Sequence, residues 1–230
     1  MDEGVSFDLP HDEAHHVRNV LRGAAGDTFE AVDSTQRLFT ARLEEGRGAT
    51  VLAEGNTKED TTNLRLYQAI PKGKHMDLVV EKATELGVAA IVPLITEHGV
   101  VKPSDAKKVD RWRRIAEAAA RQSLQLRIPE VREPISFPEA ARGEGPGGVM
   151  LHNEVGLSDL EECVQGSSAG LFVGPEGGWS EGELDLAGQC GISLAQLGPY
   201  RLRSETAGIV AVARSRAAMG STVEKFERSG

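Results

Sequence analysis

The sequence predicts an α/β protein in two parts, a small β domain over residues 1–62 and a mainly parallel α/β domain over residues 63–230. Three observations support this division. Short apolar runs separated by turn residues fill the first part. In the second part, apolar strands alternate with helical segments, as in domains built on a parallel sheet. The polar stretch 55–63 (GNTKEDTTN) has no apolar periodicity and is the expected linker.

The first part has the pattern of a small β-barrel. Its apolar runs are short, and the turns between them carry Gly-Asp, Asp-Ser and Gly-Arg-Gly, which favour chain reversal. The predicted strands are residues 5–9, 28–32, 38–43 and 49–53, with a helix over residues 12–21.

Five apolar runs in the second part predict buried strands, because the strands of a parallel sheet are covered on both faces. They are residues 64–70, 89–94, 149–152, 169–173 and 193–197. Helices are expected over residues 77–86, 105–124 and 205–219, and from about residue 180 onward. Apolar positions at three- and four-residue spacing, with Gly87 following, indicate one buried face for the first of these helices.

The composition is that of an ordinary globular protein, with 40% apolar and 27% charged residues among 230. No apolar run is long enough for a membrane span, and the acidic first residues lack a secretion signal. Cys163 and Cys190 have no metal-ligand spacing and indicate a reducing, cytoplasmic location. The His15-His16 pair has no carboxylate or cysteine at ligand spacing, so no metal site is predicted.

Charge is unevenly distributed in this chain, whose net charge is −9. Residues 1–60 carry 6 basic and 13 acidic side chains, whereas residues 101–132 carry 9 basic and 4 acidic ones. Such a basic segment can bind RNA phosphates on an otherwise acidic protein. Four of its cations fall near one face of the predicted helix: Lys107, Arg111, Arg114 and Arg121. The alternative is a solvated helix face without a ligand.

A glycine-rich loop joins a strand to a helix within residues 171–183 (LFVGPEGGWSEGE). Ser180 and Glu183 form a capping-box pattern at the helix start. Glycine lets the backbone approach a ligand closely, and ligands of open α/β sheets lie beyond the carboxyl ends of the strands. The loop is therefore a candidate ligand site. The alternative is a tight turn without a ligand, and neither of the common phosphate-binding glycine motifs matches it.

A second strand-to-helix junction, residues 196–207 (QLGPYRLRSETA), contains two arginines, a glutamate and two hydroxyls. The helix dipole disfavours a cation at the N-terminus, so Arg203 is expected to face a phosphate or a developing negative charge. The alternative is a surface ion pair with Glu205 or Glu176. A third junction, residues 71–77, places Lys72 beside a helix start at the same edge of the sheet, where it could bind a phosphate.

These junctions and other motifs resemble one known family, in order along nearly the whole chain. Residues 174–178 (GPEGG), 197–199 (LGP) and 202–207 (LRSETA) resemble the C-terminal signature of the RsmE-type 16S rRNA (uracil-N3) methyltransferases, members of the SPOUT superfamily. Residues 71–73, 82–87 and 93–97 resemble the middle motifs of that family, and residues 15–22 resemble its N-terminal motif.

The resemblance implies a trefoil-knotted SPOUT domain, a PUA-like N-terminal barrel that contacts RNA or the ribosome, and a homodimer. It implies S-adenosylmethionine as methyl donor and a uridine of 16S rRNA in the small ribosomal subunit as acceptor. Family members often have arginine and an aliphatic residue after the Gly-Pro, where this chain has Tyr200 and Arg201. By position, the cofactor contacts would be His152, Gly174, Pro175, Glu176, Gly177, Gly178, Leu197, Gly198, Pro199, Leu202 and Arg203.

Methylation at uracil N3 requires loss of the N3 proton, and the charge left behind spreads onto two carbonyl oxygens. Arg203 is the expected stabiliser of that anion, and Glu205 is the expected base. The candidate RNA contacts are Arg18, Arg22, Lys72, Lys107, Arg111, Arg114, Arg121 and Arg201. Two other functions stay open from the sequence: a non-catalytic RNA-binding or assembly module, and an RNA 2′-O-methyltransferase of the same broad fold.

Overall fold

The structure, a computed structural model, describes residues 2–20, 22–33, 37–55, 61–99, 106–154 and 156–220. The chain divides into two units, residues 1–59 with 124–126 and residues 60–123 with 127–230. Among the described residues, no helix has both the length and the apolar character needed to cross a membrane.

The first unit contains an antiparallel sheet. Its strands are β1 (Ser6–Asp8), β2 (Thr28–Val32), β3 (Leu38–Leu43) and β4 (Gly48–Glu54). The strand order is β1-β4-β3-β2, so all four predicted strands are confirmed. Alternate side chains of β3 and β4, among them Phe39, Leu43 and Val51, form one buried face. Closure into the predicted barrel is not seen between the described strands, of which β1 and β2 are the two edges.

The predicted helix of the first unit is present over its described residues but changes its winding. Helix α1 (His11–His15) continues as a π-helix over His16–Val20. Arg22 has a left-handed backbone with φ 59°, and the Gly23 N–H donates to the Val17 carbonyl at 2.9 Å. These two features end the helix and direct the chain toward β2.

The second unit is built on one parallel sheet. Its strands are β5 (Asn63–Ala69), β6 (Ala90–Ile95), β7 (Glu130–Val131), β8 (Ile135–Ser136), β9 (Gly148–Leu151), β10 (Ser158–Asp159), β11 (Ser168–Val173) and β12 (Ser193–Gln196). The order is β10-β12-β9-β11-β5-β6-β7, and β8 also pairs with β6. Every described pairing in this sheet is parallel, so the carboxyl ends of the central strands lie at one edge.

Helices cover both faces of this sheet. They are α2 (His75–Glu85), α3 (Ala106–Gln122), α4 (Phe137–Glu144), α5 (Leu160–Cys163), α6 (Glu181–Gln189) and α7 (Ser204–Ala218). Successive side chains of a strand point to opposite faces, so Leu171 packs with α2, α3 and α7 while Phe172 packs with α4 and α6. Tyr67 stacks on Phe172 with ring centroids 4.4 Å apart. The apolar runs of the strands therefore supply two hydrophobic cores.

The five predicted strands of the second unit are confirmed, each within one residue at either end. The predicted helix over residues 105–124 is too long at its end, because α3 stops at Gln122 and Leu124 has a left-handed φ of 53°. Its first predicted residue lies outside the described ones. Strands β7, β8 and β10 and helices α4 and α5 were not predicted. Ser136 caps α4 by accepting a hydrogen bond from the Glu139 N–H at 3.4 Å.

Candidate active site

Five loops meet at the carboxyl edge of the parallel sheet, because each follows the end of a parallel strand. They are residues 70–74 after β5, 96–99 after β6, 152–154 after β9, 174–180 after β11 and 197–203 after β12. The sequence-predicted cofactor residues all lie in three of these loops. This edge is where open α/β sheets bind their ligands.

The glycine-rich loop 174–180 is anchored at both ends. Trp179 is buried and donates its Nε1–H to the Leu151 carbonyl at 2.9 Å. Its ring covers Gly174, where an added Cβ would lie 3.0 Å from the indole. The predicted capping box is confirmed, because Ser180 and Glu183 exchange side-chain-to-backbone hydrogen bonds. The other oxygen of the Glu183 carboxylate accepts from the Glu97 N–H at 3.0 Å, which ties this loop to the loop after β6.

Gly177 and Gly178 differ in what surrounds them. A Cβ at Gly177 would lie 3.0 Å from the Cβ of His98, so a side chain there presses on the loop after β6. Gly178 has φ 76° and open space on that side, and its carbonyl oxygen lies 3.2 Å from Nδ1 of His98. Gly177→Val is therefore a poor probe of ligand approach, because it disturbs loop packing first. Gly178 borders the open side of the loop, but its φ of 76° would strain any other residue there.

A buried amide and a hydroxyl link three elements beneath the loops. Gln68, fully buried near the end of β5, donates from Nε2 to the Ser204 hydroxyl at 2.9 Å and to the Ala69 carbonyl at 3.1 Å. Ser204, the first residue of α7, donates in turn to the Gly174 carbonyl at 2.6 Å. The start of α7 is thereby fixed against the glycine-rich loop. Both residues adjoining Ser204 in the chain, Arg203 and Glu205, are placed by this contact.

Arg203 and Glu205 have opposite surroundings. Arg203 is the N-cap residue of α7 and is exposed, and among the described residues no acceptor lies within bonding distance of its guanidinium. Glu205 is buried, with a side chain only 10% exposed, and its Oε1 lies 3.5 Å from Nδ1 of His75. The alternative that Arg203 pairs with Glu205 or Glu176 is wrong. Glu205 faces His75, and Glu176 accepts from the Lys72 N–H at 3.2 Å.

Residues 197–203 form an open loop at the surface. Gly198 has a left-handed φ of 113°, and an added Cβ there would meet no atom within 4 Å. Within the described chain, the amide groups of Gly198 and of residues 200–203 donate to no protein acceptor. Tyr200 is 82% exposed and Leu202 36% exposed. The loop thus presents unused backbone donors, an exposed aromatic ring and two arginines.

His152 follows β9 at the same edge. Its backbone N–H donates to the Ala195 carbonyl at 2.9 Å, and its Nε2 lies 3.6 Å from the Glu154 carboxylate. In the described part of the chain, no group of three or more His, Cys, Asp or Glu is placed to hold a metal ion.

Several of the predicted RNA-binding cations already have protein partners. Two guanidinium nitrogens of Arg111 bond the Asp77 carboxylate, the shorter contact being 2.7 Å, and this salt bridge raises the pKa of Arg111. Arg121 bonds Glu117 at 2.6 Å, and Arg18 donates to the Glu44 carbonyl. Among the described residues, Arg114 donates only to the Asp110 carbonyl of its own helix, at 3.3 Å. The face of α3 is therefore less open to phosphate than its sequence indicates.

A second ionisable cluster lies deeper in the sheet, under α4. Arg65 donates to the Glu144 carboxylate at 2.9 Å, and the Tyr67 hydroxyl donates to the same carboxylate at 2.8 Å. Burial, followed by the hydrogen bond to Glu144, raises the pKa of Tyr67 to about 12. These contacts join β5 to the end of α4 and contribute to the fold.

Sequence reasoning missed four residues that shape this edge: Gln68, His75, His98 and Ser204. Gln68 had a detectable signal, because a polar residue at the buried end of a central strand needs a buried partner. Ser204 lay within a quoted motif, but nothing local indicated that its hydroxyl reaches Gly174. His75 and Glu205 are far apart in sequence, so their proximity depends on the packing of α2 and α7.

Comparison with known proteins decides the family. A family model described as an RNA methyltransferase domain matches residues 58–216. The chain belongs to this RNA methyltransferase family. Two curated members are each named ribosomal RNA small subunit methyltransferase E. The protein of Synechocystis is 32% identical over 91% of this chain and 72% of its own length, and that of Bacillus subtilis is 30% identical over 92% and 90%.

Two solved structures that contain S-adenosylmethionine are similar to this one along nearly the whole chain. The ribosomal RNA small subunit methyltransferase E of Neisseria gonorrhoeae, bound to S-adenosylmethionine, has a TM-score of 0.81 at 30% identity and covers 97% of this chain and 96% of its own. A methyltransferase of Legionella pneumophila in complex with the same cofactor has a TM-score of 0.79 at 32% identity, covering 95% and 94%. The RNA methyltransferase described here therefore shares the architecture of cofactor-binding relatives.

Proposed function

We propose that this protein transfers a methyl group from S-adenosylmethionine to N3 of a uridine in the 16S rRNA of the small ribosomal subunit. Its relatives are named as small-subunit rRNA methyltransferases, and two similar structures hold the cofactor. The observation that carries the proposal is the meeting of the glycine-rich loop, Arg203 and Glu205 at one edge of the sheet through the Ser204 contact. The proposed place of action is the cytoplasm.

The loops fit S-adenosylmethionine. Gly178 and Gly198 both have left-handed backbones and open space where a Cβ would stand, which leaves room for close approach of a ligand. The unused amide groups after Gly198 supply hydrogen-bond donors for a polar ligand. The residues proposed to hold the cofactor are His152, Gly174, Pro175, Glu176, Gly177, Gly178, Leu197, Gly198, Pro199, Leu202 and Arg203. The cofactor, when bound, supplies an electrophilic methyl group.

Proton removal from N3 is assigned to Glu205. Its carboxylate is mostly buried, which strengthens its interaction with any donor that reaches it. Glu205 lies in the first turn of α7, and its Oε1 lies 3.5 Å from Nδ1 of His75. The base needs a donor within hydrogen-bond reach, so the uracil N3–H must enter the space beside α7.

Arg203 is assigned to the charge that develops on the uracil. Its guanidinium is exposed and has no described protein partner, so it is available to the two carbonyl oxygens that share the charge. A donor at this position acts mainly on the transition state, because the charge is largest there. In-line placement of the reacting atoms is the remaining requirement, and the anchored loops provide a rigid frame for it.

RNA is proposed to bind through phosphate contacts of basic residues. The predicted set is Arg18, Arg22, Lys72, Lys107, Arg111, Arg114, Arg121 and Arg201. Arg201 and Arg114 carry no ion pair in the described chain, whereas Arg111 and Arg121 would have to exchange a carboxylate for a phosphate. We therefore expect Arg201 and Arg114 to contribute more to affinity.

The family resemblance also supports a trefoil knot, a PUA-like first unit that contacts RNA or the ribosome, and a homodimer, and we propose all three. Support for the knot comes from the start of α7, which lies against both the end of β5 and the loop after β11 through Gln68 and Ser204. Support for the role of the first unit comes from its small antiparallel sheet. Sedimentation and a crystal structure with cofactor would test dimer and knot together.

The test is methylation of small subunits purified from a strain that lacks the enzyme, using labelled S-adenosylmethionine. We expect one label per subunit, in 16S rRNA, and mass spectrometry should place it on a uracil base. A label on ribose would assign the protein to 2′-O-methylation. Failure to bind S-adenosylmethionine in calorimetry would favour a non-catalytic assembly module instead.

A further inference from the structure

Among the aromatic side chains that the structure describes, Tyr200 is the exposed one. Only 4% of the sequence is aromatic, and most described rings, including Tyr67, Phe137, Phe172 and Trp179, are buried. Tyr200 is 82% exposed. A large ring in water contributes nothing to the hydrophobic core, so its exposure calls for another explanation.

The ring stands on a short loop with fixed ends. Strand β12 ends at Gln196, and α7 begins at Ser204, whose hydroxyl bonds the Gly174 carbonyl at 2.6 Å. Between these anchors, the backbone N–H groups of residues 200–203 donate to no acceptor in the described part of the chain. The Tyr200 hydroxyl likewise has no described partner. The ring is held near the site while both of its faces stay open.

The charges around Tyr200 favour an anionic polymer. Arg201 and Arg203 are exposed and lack described partners, and residues 197–203 contain no carboxylate. The carboxylate of Glu205 is buried against His75. An exposed ring next to unpaired arginines is the combination that binds single-stranded RNA, since bases stack on rings and phosphates pair with cations.

We propose that Tyr200 stacks on the unpaired base that flanks the target uridine, while Arg201 takes the adjoining phosphate. The inference rests on the proposed function, because Arg203 and Glu205 place the target beside the start of α7. Three residues of chain span at most about 10 Å, which brings Tyr200 within reach of the neighbouring nucleotide. Stacking tolerates any base, so Tyr200 selects an unpaired conformation more than a sequence.

The experiment compares Tyr200→Phe with Tyr200→Leu in the full-length protein. The probe is a single-stranded RNA of about ten nucleotides with one central uridine, measured by fluorescence anisotropy. We expect the Leu variant to bind roughly 5- to 150-fold more weakly and the Phe variant to stay within about two-fold of the unmodified protein. The control is Ile128→Ala, which removes a 52% exposed apolar side chain before β7 and should not change RNA affinity.

Abasic scanning of the same RNA identifies the stacked base. Removing one base beside the uridine should weaken binding to the unmodified protein and have no further effect on the Leu variant. An equal loss in the Phe and Leu variants would assign the contact to the hydroxyl and overturn stacking. A change in oligomeric state of the Leu variant, measured by sedimentation, would show instead that the ring packs on a second copy of the chain.

Failure of the proposed function is distinguishable from failure of this inference. RNA affinity and its dependence on the ring are measured without the cofactor and without turnover. If unmodified protein fails to methylate small subunits but its RNA affinity depends on the ring, only the proposed function falls. If methylation proceeds and Tyr200→Leu binds RNA like unmodified protein, only the stacking role falls.

Discussion

Gly208→Ala should destabilise the second unit, although alanine is the better helix former. Gly208 lies inside α7, and a Cβ there would stand 2.3 Å from Oε1 of Gln68. That amide is fully buried and cannot swing away without losing its bonds to Ser204 and Ala69. Among the described residues the Oε1 atom has no hydrogen-bond partner, and the missing side chain of Gly208 leaves the space that this oxygen occupies.

The expected magnitude follows from three effects. Replacing glycine with alanine in a helix interior stabilises by about 1 kcal/mol. Overpacking a buried site costs about 1–3 kcal/mol, and losing the hydrogen bond from Gln68 to Ser204 costs about 0.5–1.5 kcal/mol more. The net expectation is a destabilisation of about 0.5–3.5 kcal/mol. Gly188→Ala in α6 is the matched control, since its Cβ would meet no atom within 4 Å and the change should stabilise by up to about 1 kcal/mol.

Urea denaturation followed by tryptophan fluorescence measures both variants, because Trp112 and Trp179 lie in the second unit. Gly208→Ala should also weaken S-adenosylmethionine binding in calorimetry, since Ser204 holds the Gly174 carbonyl. In a Gln68→Ala background the same substitution should become neutral or stabilising, because its clash is gone. Gly208→Ala protein as stable as the Gly188→Ala control would refute this account of the buried amide.

Three further predictions concern catalysis, RNA binding and alkaline stability. Arg203→Ala should lower the single-turnover methylation rate by about 10²–10³-fold, and a higher pH should restore part of that rate. Arg203→Lys should restore little of the rate, because an ammonium group cannot replace the planar guanidinium. The control Arg142→Ala, on α4, should leave the rate unchanged. Replacing Arg114 and Arg201 should reduce the salt dependence of RNA affinity by about 0.7–0.9 in log–log slope per lost phosphate contact. Filter binding should show a smaller change in this slope when Arg111 and Arg121 are replaced, because carboxylates already pair with both arginines. Burial raises the pKa of Tyr67 to about 12, so the phenol ionises first in the unfolded chain. The neutral phenol therefore contributes fully to the free energy of unfolding below about pH 10, and this contribution is lost as the pH rises toward 12. Urea titrations should show this fall in stability for the unmodified protein and not for Tyr67→Phe.

Five strands of the second unit, β5, β6, β9, β11 and β12, were predictable because each contains an apolar run with a clear end. The region between α3 and β9 has no such run, and its prolines Pro129, Pro134 and Pro138 interrupt any regular pattern. Pro138 in fact occupies the first turn of α4 behind the Ser136 cap, where proline is well tolerated. Recognition of that cap would have predicted the helix.

The candidate site was predictable in outline, since the strands of a parallel sheet end at one edge. Pairings across that edge were not predictable, because they join residues far apart in sequence. The contact of Arg111 with Asp77 is an example, as the sequence alone favoured an open basic helix face. The contact of Glu205 with His75 is another, and it depends on how α2 and α7 pack.

The hydrogen bonds at this edge indicate different roles for two loops, one ordered before ligand binding and one left without backbone partners. The glycine-rich loop is fixed by Trp179, Ser204 and the Glu183 carboxylate, so it is already ordered before a ligand arrives. A preformed loop costs little entropy on binding, which favours affinity for the cofactor. Within the described chain, the amides of Gly198 and of residues 200–203 make no such bonds and are left for water or a ligand. Because that loop carries Tyr200, Arg201 and Arg203, ordering it when RNA binds would couple substrate recognition to placement of the catalytic arginine.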